Sequence, residues 1–216
     1  MSTRFFDRMN RILRIGFGRS MFDVECWMFE FISLFDVKSY SIMNKTRLFR
    51  LMPILTFFFF AGCTGIPKGV KPIEGVDAQR YLGKWHEIAR LDHSFERGLT
   101  QITADYSLRD DGGIKVLNRG FSAAENKWKE AEGKAYFVGE KTTGHLKVAF
   151  FGPFYGSYII ADLDKTNYNY SLVCGPDHSY LWILARTPTL PDATLNQLLQ
   201  KAAEFGFATN KLIFPK

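Results

Sequence analysis

Cysteine, histidine and long apolar runs are all scarce in this chain. Three Cys in 216 residues exclude a disulfide-built scaffold. The four His (His86, His93, His145, His178) have no ligand spacing and no CxxC pair accompanies them, so the sequence offers no metal site. No Gly-rich phosphate loop is present, and nothing in the pattern calls for a cofactor. No apolar run approaches the roughly 20 residues of a membrane-spanning helix. A surplus of one charge sign is also missing once its position is considered. The net charge of +6 divides into nine Lys+Arg against five Asp+Glu over residues 1–62, and nineteen against seventeen over residues 63–216. The second stretch is nearly neutral, with its bases interspersed among acids, which argues against a nucleic-acid partner. Twelve of the 21 Phe also precede position 63. The chain is therefore two unlike pieces, and the second one folds.

The first piece reads as processing signals. From Met43 the sequence runs MNKTRLFRLMPILTFFFFAGC. Lys45, Arg47 and Arg50 form a basic n-region, and Leu51 to Phe60 is apolar except for Pro53 and Thr56. Small residues Ala61 and Gly62 come before Cys63, the pattern of a secretory signal. That ending resembles the bacterial lipobox, with Phe60 where Leu is more usual. The resemblance implies a diacylated Cys63, cleavage before it and a further acyl chain on its amino group. Three chains exceed the two signals that stable anchoring requires. Thr64, rather than Asp, after the Cys implies by the same resemblance sorting to the outer membrane. An ordinary signal peptide with an incidental Cys is the alternative. Residues 1–42 contain Cys26 and Trp27 but no regular apolar period; they read as an over-extended start or a long n-region. The expected organisation is 1–42 outside the fold, 43–62 a lipoprotein signal, 63–80 acylated Cys and tether, and 81–216 the folded domain.

The second piece alternates. In Gln101–Arg109, Ile102, Ala104, Tyr106 and Leu108 are separated by polar residues, the period of a half-wet strand. Asp110-Asp111-Gly112-Gly113 supplies a hairpin turn and Gly113–Phe121 returns. Further runs are Gly83–Arg90, Lys127–Phe137, His145–Phe151, Tyr155–Ala161, Tyr168–Val173 and Tyr180–Arg186. Eight short antiparallel strands suggest an all-β, up-and-down barrel, closed so that no edge is left open. Such a barrel has room for one small ligand. Pro191 and Asp192 open a helix whose Leu195, Leu198, Leu199, Ala202 and Phe205 share a face, and Gly206 ends it. This helix is expected outside the barrel, followed by a short final strand at Lys211–Phe214.

Tyr81-Leu82-Gly83-Lys84-Trp85 resembles the Gly-x-Trp signature of the lipocalins, and Trp182-Ile183-Leu184-Ala185-Arg186 resembles their last conserved region. The resemblance implies that Arg186 packs across Trp85 at the closed end, with Gly83 beside them. The strings Glu87-Ile88-Ala89-Arg90, Phe95-Glu96-Arg97-Gly98 and Phe151-Gly152-Pro153-Phe154-Tyr155-Gly156 are similar to the bacterial members, over roughly residues 76–216. Where the family usually has Thr-Asp-Tyr, this chain has Leu163-Asp164 followed by Lys165-Thr166-Asn167-Tyr168, so a longer turn is expected. The resemblance implies binding of fatty acids or lysophospholipids by a lipid-anchored protein of the outer membrane.

Parity names the lining. Tyr180, Trp182 and Leu184 share the face of Arg186; Ile102, Ala104, Tyr106 and Leu108 form one apolar face; Leu146, Val148 and Phe150 form another. Ala131, Gly133 and Ala135, with Phe137, are expected to leave room on the fourth strand. Plain core packing is the alternative for each, especially Leu108 and Leu184 near the closed end. An apolar lining suits an acyl chain: at roughly 0.8 kcal/mol per CH₂, ten methylenes give a gross ~8 kcal/mol. Glu87, inward by parity, is expected to be hydrogen-bonded to backbone or water, with a headgroup role as the minority reading. Asp92, His93, Phe95, Glu96 and Arg97 are expected in a solvated mouth loop. Two other classes compete: a lipid-modifying enzyme using Cys174 (with His178 nearby) or Glu87, and a structural lipoprotein with a filled barrel. Whether two barrels pair as a homodimer stays open.

Overall fold

Alternating wet and dry residues produce eight strands, and each finds its neighbour in sequence order. They are β1 (Gly83–Arg90), β2 (Leu99–Leu108), β3 (Ile114–Ser122), β4 (Lys127–Phe137), β5 (His145–Ala149), β6 (Gly156–Leu163), β7 (Tyr170–Cys174) and β8 (Leu181–Ala185). This is a computed structural model describing residues 64–215; the signal segment and Cys63 lie outside the described residues. Every pair is antiparallel and β8 returns to β1, closing the barrel. In that last seam His86 pairs with Ala185 and Arg90 with Trp182. The expected all-β barrel is observed, with β1 and β4 at the expected limits and β5, β7 and β8 shorter.

One end is plugged. The four-residue helix α1 (Ala78–Tyr81) starts from Asp77, whose carboxylate accepts the Gln79 and Arg80 amides, satisfying the orphan donors of its first turn. Trp85 donates to the Tyr81 carbonyl at 2.8 Å. The Arg186 guanidinium lies 3.9 Å from the Trp85 ring centroid and donates to the carbonyls of Tyr168, Lys84 and Arg80. In the turn between β6 and β7, Asp164 accepts the Thr166, Asn167 and Asn169 amides.

Helix α2 (Asp192–Glu204) packs on the outer face, with Leu198 and Ala202 buried among Ile159, Leu172, Cys174, Leu181 and Ile183. Gly206, at φ +89°, ends it in a conformation only glycine takes cheaply. The expected final strand is not formed. Lys211 belongs to a 3-10 turn, Thr209–Lys211, and a single bridge joins Ile213 to Arg90, on the edge of β1 that β2 leaves unpaired beyond His86. Leu108 is a second correction. It is 53% exposed, since β1 stops pairing at Gly83↔Tyr106 and the end of β2 overhangs uncovered.

Candidate functional site

The lumen is built from the inward positions. Ala104, Tyr106, Ala135, Phe137, Leu146, Val148, Phe150, Trp182 and Leu184 belong to one cluster with Trp85, as parity requires. Ile102 is buried; with Leu99 it packs over Gly120. Tyr180 lies at the mouth, its ring stacked 6.2 Å from that of Trp182. The room expected beside Gly133 is taken: a Cβ there would come within 2.8 Å of the Phe150 ring. Both faces carry sealed and half-buried apolar groups. Ile159, Leu172, Leu181 and Ile183 beneath α2 are 0% exposed, whereas the inward Ala104, Phe137, Val148, Tyr158 and Trp182 are only half-buried.

At the mouth, one bulge changes the chemistry. The register shifts between Glu87 and Ala89, so Ala89 joins the outer cluster while Arg90 turns in, 2% exposed. A bulge re-aims side chains in this way. Arg90 Nη1 lies 2.6 Å from Glu87 Oε1, and its Nη2 donates to the Glu96 carbonyl at 3.0 Å. Glu87 is thus inward as expected, but its partner is a guanidinium rather than backbone or water. The loop between β1 and β2 is likewise not simply solvated. Asp92 and Arg97 pair at the surface, but His93 and Glu96 are buried. Trp182 Nε1 donates to Glu96 Oε2 at 3.1 Å. His93 Nε2 lies 3.2 Å from that oxygen without hydrogen-bond geometry, and neither His93 nitrogen has a partner among the described residues. The ring is neutral, held down to about 3, so this approach is a contact and not an ion pair.

The charge states follow from burial. Burial, then the Glu87 carboxylate, pushes Glu96 up to about 8. Burial raises Glu87 as well, against the pull of Arg90. Burial and Arg90 hold His93 down to about 3. Both carboxyls are raised by burial, but Glu87 faces the Arg90 guanidinium while Glu96 is pushed up to about 8, so at neutral pH the cluster reads Arg90⁺, Glu87⁻ and neutral Glu96. Sequence parity missed Arg90 because a bulge leaves no period to read.

Stability should follow pH accordingly. A carboxyl raised from 4.5 to about 8 stabilises the fold at low pH and loses that contribution as pH rises through this window. An imidazole lowered from 6.5 to about 3 acts oppositely, destabilising as pH falls below 6.5. The two oppose between 4.5 and 6.5, leaving a plateau there and a decline from 6.5 to about 8. Denaturation midpoints across pH should show that alkaline decline in the parent and lose it in Glu96→Gln; a decline that persists in the variant would reject the assignment.

Deeper in the barrel three phenols form a directed chain. Ser171 Oγ gives its single proton to the Asp162 carbonyl, so Tyr81 must donate to Ser171 at 3.2 Å. Tyr158 must then donate to Tyr81 at 2.8 Å, and Tyr106 to Tyr158 at 3.0 Å, since each hydroxyl has one proton. Burial pushes Tyr81 up to about 12 and raises Tyr106 and Tyr158 also, so the chain stays protonated. Its direction predicts unequal mutants. Tyr158→Phe strands the buried Tyr106 donor and should cost about 1–3 kcal/mol, whereas Tyr106→Phe removes only the first donor and should cost about 1 kcal/mol or less. Equal losses in denaturant titrations would reject the direction.

Cys174 faces α2, not the lumen. Burial pushes its thiol up to about 12, the reverse of what a nucleophile needs, and His178 Nε2 bonds instead to the Phe205 carbonyl. Among the described residues no group of three or more His, Cys, Asp or Glu is placed to hold a metal ion.

Comparison with known proteins adds to this geometry. The lipocalin-like domain family matches residues 76–216. A Vibrio cholerae protein named outer membrane lipoprotein Blc is 56% identical over 161 residues, 74% of this chain and 94% of that protein. The Escherichia coli K12 protein of the same name is 49% identical over 171 residues, 76% of this chain and 96% of that one. Among solved structures, insecticyanin from the tobacco hornworm Manduca sexta superposes with a TM-score of 0.57 at 22% identity, over 70% of this chain and 86% of that chain; it shares the fold.

Proposed function

The chain belongs to the lipocalin-like family, as a lipid-binding outer-membrane lipoprotein, and from that premise we propose that it holds fatty acids or lysophospholipid-like amphiphiles and stores or carries them at the envelope. Its anchor is Cys63, acylated once the signal over residues 43–62 is removed. The observation that carries the ligand reading is the half-buried inward face, apolar along Ala104, Val148 and Trp182, with Asn118 a polar group registered beside Ala104. An acyl tail buried there gains about 0.8 kcal/mol per CH₂ before association costs, enough for roughly micromolar binding with ten methylenes. The headgroup stays at the mouth, where the His93 nitrogens lack protein partners and the Glu87–Arg90 pair supplies charge of both signs. Binding changes no covalent bond: the chain is a carrier, not an enzyme.

Titrating lysophospholipid while following tryptophan emission tests this, because Trp182 lies in the wall. The expected outcome is a saturable change with a Kd in the micromolar range, and the lipid recovered chemically unaltered. Unchanged emission with every fatty acid and lysophospholipid, and no lipid co-purifying, would favour a filled structural barrel. Lipid turnover abolished by Glu87→Gln or Cys174→Ala would favour an enzyme.

A further inference from the structure

The open end of the barrel carries an unusual amount of exposed apolar surface. Phe95, in the β1–β2 loop, is 50% exposed, and Phe151 and Phe154, in the β5–β6 loop, are 49% and 66% exposed. Phe95 is held up by stacking on His93 at 4.0 Å, so it is presented by a buried base rather than dangling. Soluble surfaces scatter single apolar residues, but bulky aromatics concentrated on the loops around one opening mark an interaction site. The first described residues of the tether lie against the outer wall on the side of the β5–β6 and β7–β8 loops. Thr64 lies in a groove along the outer wall that runs from Pro153 and Tyr155 of the β5–β6 loop to Phe137, Val138 and Gly139 at the end of β4. A Cβ at Gly65 would come within 3.7 Å of the Pro176 carbonyl in the β7–β8 turn, and Ser157 donates to the Gly65 carbonyl at 2.6 Å. One peptide unit of about 3.8 Å joins Thr64 to residue 63, so a group carried on that residue is tied within a short reach of the β5–β6 loop. From there the tether runs toward the plugged end, with Ile73 bonded to Ile160 and Gly144 and Val76 to Thr142.

We propose that the barrel rides mouth-down on the bilayer that holds its anchor, with Phe95, Phe151 and Phe154 entering the interfacial zone. The occupant of this aromatic rim is a lipid surface, and a ligand passes between bilayer and lumen without crossing bulk water. The inference rests on the acylation proposed above for its source of proximity, but the rim aromatics define the docking face by themselves. Aromatic rings suit that zone because they bury an apolar body at headgroup depth. A second copy of the chain is the competing occupant.

Leu108 supplies an internal control, since it is equally exposed, at 53%, on the opposite end. Full-length processed protein carrying Phe154→Trp or Leu108→Trp is bound to phosphatidylcholine vesicles whose lipids are brominated on one acyl chain. The added emission of Phe154→Trp should shift to the blue and fall by roughly half, as for a ring inserted about 5–10 Å into the boundary, while that of Leu108→Trp should not change. Quenching at Leu108→Trp and not at Phe154→Trp, or at neither while the protein floats with the vesicles, overturns the orientation but leaves the anchor intact. A blue shift at Phe154→Trp that grows with protein concentration in the absence of vesicles assigns the rim to a second copy and also overturns it. Mass measurement of the same sample reports acylation separately. If no acyl mass is found, the anchor reading fails, and quenching of Phe154→Trp in that unacylated chain still upholds the docking face, whereas its absence overturns it.

Discussion

Arg90→Met is expected to destabilise the protein by about 3–5 kcal/mol at neutral pH, the penalty for removing one partner of a buried ion pair. Arg90 is the cation facing Glu87 at 2.6 Å, and Glu96 beside it is an acid that can offer no positive charge in its place. Without the guanidinium, Glu87 must either stay ionised in an apolar wall or take up a proton against the pH. The Glu96 carbonyl also loses its donor. The loss should therefore shrink near pH 5, where protonating Glu87 costs little, and Arg90→Met/Glu87→Gln should recover most of it. Denaturant titrations of the parent, the single variants and the double variant at both pH values measure this coupling. A loss below about 1 kcal/mol, or one independent of pH, would show that the pair is not electrostatically responsible for holding the mouth.

Trp85→Ala should cost a similar amount, about 3–5 kcal/mol, for a different reason. Trp85 is 0% exposed and heads the fully buried large side chains. Its ring lies 4.8 Å from that of Tyr81 and beneath the Arg186 guanidinium, so its removal opens a cavity under the plug and releases Arg186 from its stack. Because the β-ladders of β1 do not depend on this side chain, the barrel should still form, with a lower midpoint and an unchanged strand signal in far-ultraviolet dichroism. Trp85→Phe keeps a ring but loses the bond to the Tyr81 carbonyl and should fall between, at about 1–2 kcal/mol. A loss under about 1 kcal/mol for the alanine variant would mean that the closed end is sealed by something other than this ring.

The interior was legible wherever a strand keeps its period. Tyr106, Leu146, Val148, Trp182 and Leu184 all point where alternation places them, because successive Cβ atoms must face opposite sides of a sheet. Two kinds of residue escaped that rule. Arg90 sits after a bulge, and a single inserted residue reverses parity without leaving a compositional trace. His93 and Glu96 sit in a loop that has no period at all, and their burial comes from folding back over Trp182, a contact 86 residues away in sequence. Leu108 erred in the other direction: its alternation is regular, but alternation cannot tell whether a neighbouring strand is long enough to cover the last position.

The sequence by itself determined the eight strands, the hairpin turn at Asp110–Gly113, the helix that opens at Asp192 and stops before Gly206 and the pairing of Trp85 with Arg186, because each is written in local period or in residues matched to a known signature. The tertiary structure decided which inward residues meet one another: the Arg90–Glu87–Glu96 cluster, the tyrosine chain from Tyr106 to Ser171, and the aromatic rim beside the tether. The same division explains the scarcities in composition. With so little cysteine, and with histidines that share no spacing, the chain offered no local chemical motif to read. Its polar chemistry arises only where barrel closure brings distant strands and loops together in a space from which water is partly excluded, and that closure is what shifts ordinary Glu, His and Tyr side chains away from their solution behaviour.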